Sequence, residues 1–302
     1  MTVDSLIGGR YQLDEQVSAG GMGAVWRATD ELLGRRVAIK HIRLDRLDGG
    51  SAGIIRRRTL RKTRVAARLR HPHIVSILDV LTVAGDPWLV LEYLPSERLS
   101  DAIARGTLTP WQAAGIGAGI ADALAVAHAA GILHCDVNPG NLLLSRTGEV
   151  KLTGFGVVRV AGDATRTGPG LIIGTPAYLA PEVCHGEQSG TAGDIYSLGA
   201  TLYAAVEGAP PFGDGHGDTR HPTRLVDSGQ AHTAERAGPL APVLQWLLHH
   251  DPVARPDAVT ARELLRQVAG SNTASPVPVG PIHAGRTTQA VPPTIPTLPP
   301  IQ

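Results

Sequence analysis

A cluster of glycines near the N-terminus has the composition of a phosphate-binding loop. Residues 18–23 contain Gly20, Gly21 and Gly23, and they lie between two short segments whose apolar residues alternate as in the strands of a hairpin. Glycines at a hairpin tip allow backbone N–H groups to approach phosphate oxygens without obstruction by side chains. The pattern is short, so on its own it is equally compatible with a plain flexible hairpin.

Two later stretches carry polar residues in short, ordered motifs. The run Val37-Ala38-Ile39-Lys40 is a predicted strand that ends in a lysine. Residues 132–156 contain His134-Cys135-Asp136-Val137-Asn138-Pro139-Gly140-Asn141 and, further on, Gly154-Phe155-Gly156. Together with the glycine-rich loop, these stretches resemble the motifs of the protein kinase family, which read V-A-I-K, H-R-D-x-K-P-x-N and D-F-G.

The resemblance continues through the second half of the chain. Further landmarks are Ala180-Pro181-Glu182, Asp194-Ile195-Tyr196-Ser197-Leu198-Gly199 and Asp251-Pro252-Val253-Ala254-Arg255-Pro256. Over residues 11–268 the chain resembles the bacterial, eukaryotic-like branch of the Ser/Thr protein kinases. The resemblance implies that Glu182 pairs with Arg255 and that Asp194 holds the backbone of the catalytic loop.

The resemblance also implies an α+β, bilobal protein-kinase-like fold, with a small β-rich N-lobe and a larger α-helical C-lobe. The expected order is an N-terminal extension over 1–10, the N-lobe over 11–92, the hinge over 92–96 and the C-lobe over 97–268. Residues 269–302 contain eight prolines and no apolar periodicity, which predicts a disordered tail. A docking peptide is the alternative interpretation of this tail.

In this family ATP binds between the two lobes. The resemblance assigns Lys40 to the α- and β-phosphates and Asp136 to the catalytic base, and it makes Asn141 a metal ligand. Other expected nucleotide contacts lie on the glycine-rich loop, the strands and the hinge: Gly20, Gly21, Gly23, Val25, Ala38, Glu92, Leu94 and Leu143.

Four charged positions of the family pattern hold other residues: Cys135 replaces the arginine of H-R-D, and the other three bear directly on phosphoryl transfer. Gly154 replaces the metal-binding aspartate, Asn138 replaces the lysine that neutralises the transferred phosphate, and Lys62 replaces the glutamate that orients the strand lysine. Phosphoryl transfer depends on placed metal ions and on charge neutralisation. We therefore interpret the chain as a pseudokinase that binds ATP, holds Mg²⁺ poorly through Asn141 alone and signals through protein partners.

Two other interpretations remain open at this point. One is an active or weakly active ATP-dependent Ser/Thr protein kinase with unconventional metal handling, in which Asp163 or a substrate group ligates the metal. The other is a purely structural fold with an empty pocket. Lys40 and the nearly complete glycine loop favour nucleotide binding over the empty pocket, and the three departures favour the pseudokinase over the active enzyme.

A strongly basic helix is predicted within residues 54–70. No Asp or Glu occurs from Gly49 to Val75, whereas the helix carries eight basic residues: Arg56, Arg57, Arg58, Arg61, Lys62, Arg64, Arg68 and Arg70. Like charges four residues apart weaken an isolated helix by about 0.2–0.5 kcal/mol per pair. The helix is interpreted either as a solvated face or as a docking surface for an acidic partner.

Composition argues against several other classes of function. The chain has 302 residues with 28 basic and 27 acidic side chains, so no general attraction to nucleic acid or to a membrane surface is expected. Cys135 and Cys184 are the only cysteines, too few for a disulfide framework or a thiolate metal site. Because the N-terminus also lacks a signal-peptide pattern, a cytoplasmic location is expected.

An apolar segment over residues 113–133 is interpreted as a buried helix and not as a membrane span. Thr109 as N-cap, Pro110 in the first turn and Gln112 as the capping-box partner are typical of a soluble helix. The glycine run over residues 115–119 follows no predicted strand, so we expect it to permit close helix packing and not to bind phosphate.

Overall fold

A computed structural model describes five parts of the chain, residues 6–20, 23–42, 60–155, 176–213 and 233–271. These residues form two compact units. Among the described residues, the first unit extends up to Arg68 and resumes over Ser76–Leu94, and the second comprises Leu69–Val75 and the residues from Pro95 to 271. The short segment Leu69–Val75 therefore belongs with the second unit, although residues of the first unit flank it in sequence.

An antiparallel sheet of five strands forms most of the first unit. The strands are β1 (Tyr11–Gly20), β2 (Gly23–Asp30), β3 (Arg35–His41), β4 (Ile77–Val83) and β5 (Asp86–Glu92). Their order across the sheet is β1-β2-β3-β5-β4. Helix α1 covers residues 60–66 within the described part of the chain. The antiparallel sheet with an accompanying helix that the sequence predicts is confirmed.

Alternation along β3 gives the sheet a core face and a second face. Val37 and Ile39 are fully buried and belong to an apolar cluster with Trp88 and Val90 of β5. Because successive side chains of a strand point to opposite faces, Lys40 lies on the other face, where it is half-buried. The apolar core therefore occupies one face and leaves the lysine on the other.

The segment before β1 also stabilises this unit. Ile7 is 1% exposed and joins the core of the sheet. The Arg10 guanidinium donates to both carboxylate oxygens of the fully buried Asp30, over 2.7 and 2.8 Å. This bidentate pair holds the pKa of Asp30 below its ordinary value. The segment predicted as an extension over 1–10 thus supplies residues that the sheet uses.

The second unit combines a small sheet with helices. Its sheet contains β6 (Ser96–Arg98), β7 (Leu142–Ser145) and β8 (Val150–Leu152). Its helices are α2 (Leu99–Arg105), α3 (Pro110–Ala129), α4 (Pro181–Cys184), α5 (Thr191–Glu207), α6 (Ala241–Leu247) and α7 (Ala258–Gly270). The predicted α+β fold class, with a mostly helical second part, is confirmed.

Helix α3 begins as the sequence predicts. The Thr109 side chain accepts from the Gln112 N–H over 3.3 Å, and the Gln112 side chain accepts from the Thr109 N–H over 3.1 Å. This capping box satisfies two backbone donors at the helix start. Within the described ranges, no helix combines the length and apolar character needed to cross a membrane.

The glycines of α3 differ in their surroundings. A β-carbon at Gly117 would lie 2.6 Å from Leu202 Cδ1, and one at Gly119 would lie 2.9 Å from Val150 Cγ1. The expectation of close packing is therefore confirmed for these two residues. It is wrong for Gly115, which is exposed and has open space where a β-carbon would stand, because this side of the helix faces solvent.

We expect Gly117→Ala and Gly115→Ala to change stability in opposite directions. The first should lower the free energy of unfolding by about 1–2 kcal/mol, since overpacking against the fully buried Leu202 outweighs the gain in helix propensity. The second should raise it by about 0.5–1 kcal/mol, because alanine loses less backbone entropy than glycine. Urea denaturation of both variants measures the difference, and equal changes would contradict the packing described.

Candidate active site

The loop over residues 134–141, which resembles the catalytic loop of the kinase family, is anchored by a buried carboxylate in the first turn of α5. Asp194 is 1% exposed, and it accepts from the backbone N–H of His134 over 2.9 Å and of Cys135 over 2.7 Å. The expected role of Asp194 in holding this loop is confirmed. His128 of α3 lies 2.9 Å from the same carboxylate through Nε2. We did not predict this contact, although a histidine within an apolar helix is a signal for a buried polar partner.

The ring of His134 connects this loop to the residues after β8. Its Nδ1 accepts from the Asp136 N–H over 3.2 Å, and its Nε2 lies 3.0 Å from the Thr153 carbonyl oxygen. The ring also meets Phe155 edge to face, with 4.6 Å between centroids. His134 and Phe155 are both buried. These contacts bring the two sequence motifs together within the second unit.

Two side-chain amides hold the carboxylate of Asp136. Asn138 Nδ2 donates to Oδ1 over 3.0 Å, and Asn141 Nδ2 donates to Oδ2 over 2.9 Å. Both amides also donate to the Asp136 carbonyl oxygen, over 2.9 and 2.8 Å. The Asn138 oxygen accepts from the Gly140 N–H over 2.9 Å. Asn138 is 7% exposed, so this residue serves as a neutral support of the loop.

The residues around Gly154 fit Mg²⁺ poorly. Mg²⁺ prefers octahedral coordination by oxygen, with carboxylates as its usual protein ligands. Gly154 has no side chain, and the Asn141 amide donates to Asp136. Among the described residues, no group of three or more His, Cys, Asp or Glu side chains is placed to hold a metal ion. The described residues around Gly154 therefore do not supply the usual ligand set.

Gly154 has room around it for a side chain, but its backbone conformation is unusual. Its φ is +101°, a conformation that residues with a side chain rarely adopt. A β-carbon here would meet Asn141 Cγ and His134 Nε2 at 3.5 Å, which is ordinary contact. An aspartate at this position would thus be strained in its backbone and unobstructed in space.

Three of the predicted nucleotide contacts share one face of the first unit's sheet. Val25 of β2 is directly opposite Lys40 of β3, and Ala38 lies two residues before the lysine. Residues in register across strands, or two apart along one strand, lie on the same face. All three are half-buried. In the glycine-rich loop, Gly20 pairs with Gly23 at the end of the hairpin, and Gly21 lies outside the described residues.

The remaining predicted contacts lie at the end of the first unit and on β7. Glu92 ends β5, where its side chain accepts from the Ser76 N–H over 2.8 Å. Leu94 follows two residues later and is half-buried. Leu143, also half-buried, belongs to β7 of the second unit. Contact of these residues with a nucleotide stays a prediction.

Lys62, which stands where the family has a glutamate, lies on α1. Its side chain is exposed, whereas the neighbouring Thr63 is fully buried. The lysine therefore projects outward from the helix. Residues 156–175 lie outside the described residues. They include Asp163 and most of the segment from Val157 to Pro181, which resembles the activation segment of the kinase family.

A buried ion pair joins the end of that segment to the C-terminal part of the second unit. Arg255 donates to both oxygens of the Glu182 carboxylate over 2.7 and 2.8 Å, and the two residues are 7% and 9% exposed. The expected pairing of Glu182 with Arg255 is confirmed. Burial raises the pKa of the neighbouring Tyr196 above its ordinary value, and its ring lies under the Arg255 guanidinium.

Comparisons with known proteins agree with this architecture. Residues 11–267 match the protein kinase domain family. Serine/threonine-protein kinase PknA of Mycobacterium tuberculosis is 40% identical over 216 residues, which cover 69% of this chain and 49% of that protein. "Probable serine/threonine-protein kinase PknB" of Corynebacterium glutamicum is 37% identical over 214 residues, which cover 68% of this chain and 33% of that protein.

A solved structure shows the same fold. The crystal structure of the M. tuberculosis PknI kinase domain aligns with a TM-score of 0.69 and 27% identity, over 86% of this chain and 96% of that one. The aligned part of this chain spans half or less of the two curated relatives named above. Since the family match covers most of the sequence and the relatives are bacterial kinases, this chain belongs to the bacterial Ser/Thr protein kinase family.

Proposed function

We propose that this chain is a catalytically impaired member of its family, which binds ATP and signals through protein partners. The observation that carries the proposal is Gly154, which offers no metal ligand beside an otherwise ordered catalytic loop. Metal ions bridge the β- and γ-phosphates and neutralise the charge that develops during transfer. With the amide of Asn141 as the remaining family ligand, the metal is poorly placed and phosphoryl transfer is slow.

The neutral side chain of Asn138 and its hydrogen bonds support the same conclusion. The family lysine at this position supplies a positive charge to the transferred phosphate, whereas the Asn138 amide is neutral and donates to Asp136. Loss of one preorganised transition-state donor costs about 10²–10³ in rate. Asp136 is therefore a well-held candidate base that lacks its electrostatic partners.

ATP binding is supported by the face that carries Val25, Ala38 and Lys40. Apolar side chains next to one cation suit a purine with phosphates attached. The residues for nucleotide binding thus resemble those of the family more closely than the residues for metal binding do. Such a division favours a protein that uses ATP as a ligand. We place it in a reducing cytoplasm, where its two cysteines form no disulfide with each other.

We expect ATP to stabilise the chain equally with Mg²⁺ and with EDTA. A ligand at about 100 times its Kd adds about 2.7 kcal/mol to the free energy of unfolding, which corresponds to a rise in Tm of several degrees for a domain of this size. Thermal-shift measurements with both additives test this, with Lys40→Met as the variant that should lose the response. A shift that needs Mg²⁺ would show that another group ligates the metal, and phosphate transfer would then be the favoured function.

Phosphate transfer itself is measured by autophosphorylation and by labelling of a generic protein substrate. Asp136→Asn is the control, because it removes the candidate base and keeps the shape of the side chain. Labelling at the level of this control supports the proposal. Strong labelling that disappears in the control would show an active kinase.

A further inference from the structure

The exposed side of α1 and the turn after it carry cations for which the described part of the chain offers no partner. Arg61, Lys62, Arg64 and Arg68 are exposed, and within the described residues none of them forms a hydrogen bond or an ion pair. Several other arginines do have carboxylate partners: Arg10 with Asp30, Arg27 with Glu15, Arg105 with Glu97 and Arg262 with Asp122. The sequence from Gly49 to Val75 holds no acidic residue, so this segment cannot neutralise its own charge.

The spacing of these residues builds one continuous surface. Positions 61, 64 and 65 follow the i, i+3, i+4 pattern that places side chains on one side of a helix, and Arg68 follows in the turn just after α1. Thr63 and Ala66 on the other side are buried. Val65, at 41% exposure, is an apolar side chain among the arginines. We call Arg61, Arg64, Val65 and Arg68 the basic face.

The basic face is unfavourable for the helix alone. Arg61 and Arg64 are like charges one turn apart, and such pairs cost about 0.2–0.5 kcal/mol in an isolated helix. Arg68 lies two residues past the end of α1, near the helix C-terminus, where a cation interacts favourably with the helix dipole, so its presence has a partly structural reason. Neither Arg61 nor the exposed Val65 has such a reason. An acidic ligand with an apolar group would pair with the arginine and cover the valine.

We propose that the basic face docks an acidic, amphipathic segment of a partner protein. Carboxylates of that segment pair with Arg61, Arg64 and Arg68, and one apolar side chain covers Val65. This inference rests on the proposed function, in which the chain acts through partners, and it specifies the chemistry of one of them.

Val65 favours a protein segment over nucleic acid as the ligand. A phosphate backbone gains from the arginines but has no apolar group to cover a valine. The chain as a whole carries a formal net charge of +1, so it lacks the broad positive field that drives non-specific nucleic-acid binding. A short peptide with alternating acidic and apolar residues matches both features of the surface.

The test uses synthetic peptides and the full chain. The first probe is a fluorescent helical peptide of about four turns, with glutamates on one face and a leucine among them. The second has serine in place of that leucine, and a single-stranded oligonucleotide of equal charge is the third probe. Fluorescence anisotropy at low and high salt measures the three affinities. We expect the leucine peptide to bind most tightly and to weaken as salt screens the ion pairs.

Matched variants locate the binding surface. Arg61→Glu, Arg64→Glu and Arg68→Glu together should weaken binding of the leucine peptide by about tenfold or more, because each exposed ion pair contributes a factor of about 1.4–5 and reversal adds repulsion. The control reverses three exposed arginines elsewhere, which changes the net charge equally: Arg36, Arg98 and Arg146. The control should bind as the unmodified chain does. Melting curves confirm that both variants fold.

Val65→Ser provides the decisive comparison. It should reduce binding of the leucine peptide and leave the serine peptide unchanged, as expected when the valine and the leucine are in contact. Equal losses in the basic-face and control variants, tighter binding of the oligonucleotide, or no effect of Val65→Ser would each overturn the inference. ATP-induced stabilisation and labelling are read separately, so failure of docking is distinguishable from failure of the proposed function.

Discussion

Transfer of phosphate from ATP is expected to be at least about 10³-fold slower in this chain than in an active kinase. Gly154, Asn138 and Lys62 occupy the three positions at which the family residues ligate the metal, neutralise the transferred phosphate and orient the strand lysine. Each such loss costs about 10² or more in rate, and losses within one catalytic unit overlap. A typical kinase rate of about 1–100 s⁻¹ would then fall below about 0.1 s⁻¹.

Restoration of the three residues should recover part of this rate. In the combined variant Gly154→Asp, Asn138→Lys and Lys62→Glu, we expect labelling to rise by about tenfold or more, because a metal ligand and a phosphate-binding cation return. Recovery stays incomplete for structural reasons. Aspartate at position 154 must adopt φ near +101°, at a cost of about 1–3 kcal/mol, and removal of Asn138 takes one amide donor from Asp136.

Asp136→Asn in the restored background is the control for this experiment. It should return labelling to the background level, since the recovered reaction needs a base. Restored variants that stay at background while ATP still stabilises them would show that other parts of the chain also block transfer. Fast labelling by the unmodified chain would contradict the expectation directly.

Glu182→Ala, which removes a buried carboxylate, is expected to lower the free energy of unfolding more than any other substitution named above. Glu182→Ala leaves the guanidinium of Arg255 without its charge partner at 7% exposure. Removal of one member of a buried ion pair costs about 3–5 kcal/mol. Three backbone carbonyl oxygens still accept from Arg255, over 2.7–3.0 Å, so the arginine stays buried and uncompensated instead of moving to solvent.

Glu263→Ala is the matched control on the protein surface. The Glu263 side chain is 52% exposed and pairs with Arg262 and Arg266 on α7. Exposed pairs contribute about 0–1 kcal/mol, so this variant should differ little from the unmodified chain in urea denaturation. Similar losses for the two glutamates would show that burial does not govern the strength of the Glu182–Arg255 pair.

The sequence by itself indicated the fold class and the candidate site through its resemblance to the protein kinase family, because the motifs that carry this resemblance are short and local. Asp136 and Asn141 occur within one short loop, and Lys40 ends a strand whose alternation is readable from residue type. The absence of acidic residues around α1 and the glycine at position 154 are likewise visible without coordinates.

Only the tertiary structure decided the polar contacts that the family motifs do not imply. Asn138 is visible in the sequence as a missing lysine, but its two bonds to Asp136 depend on the path of the loop. The contact of His128 with Asp194 joins residues 66 positions apart, and the open space at Gly115, unlike Gly117, reflects which side of α3 the other helices cover. Such outcomes depend on the packing of distant segments, which side-chain type and spacing do not specify.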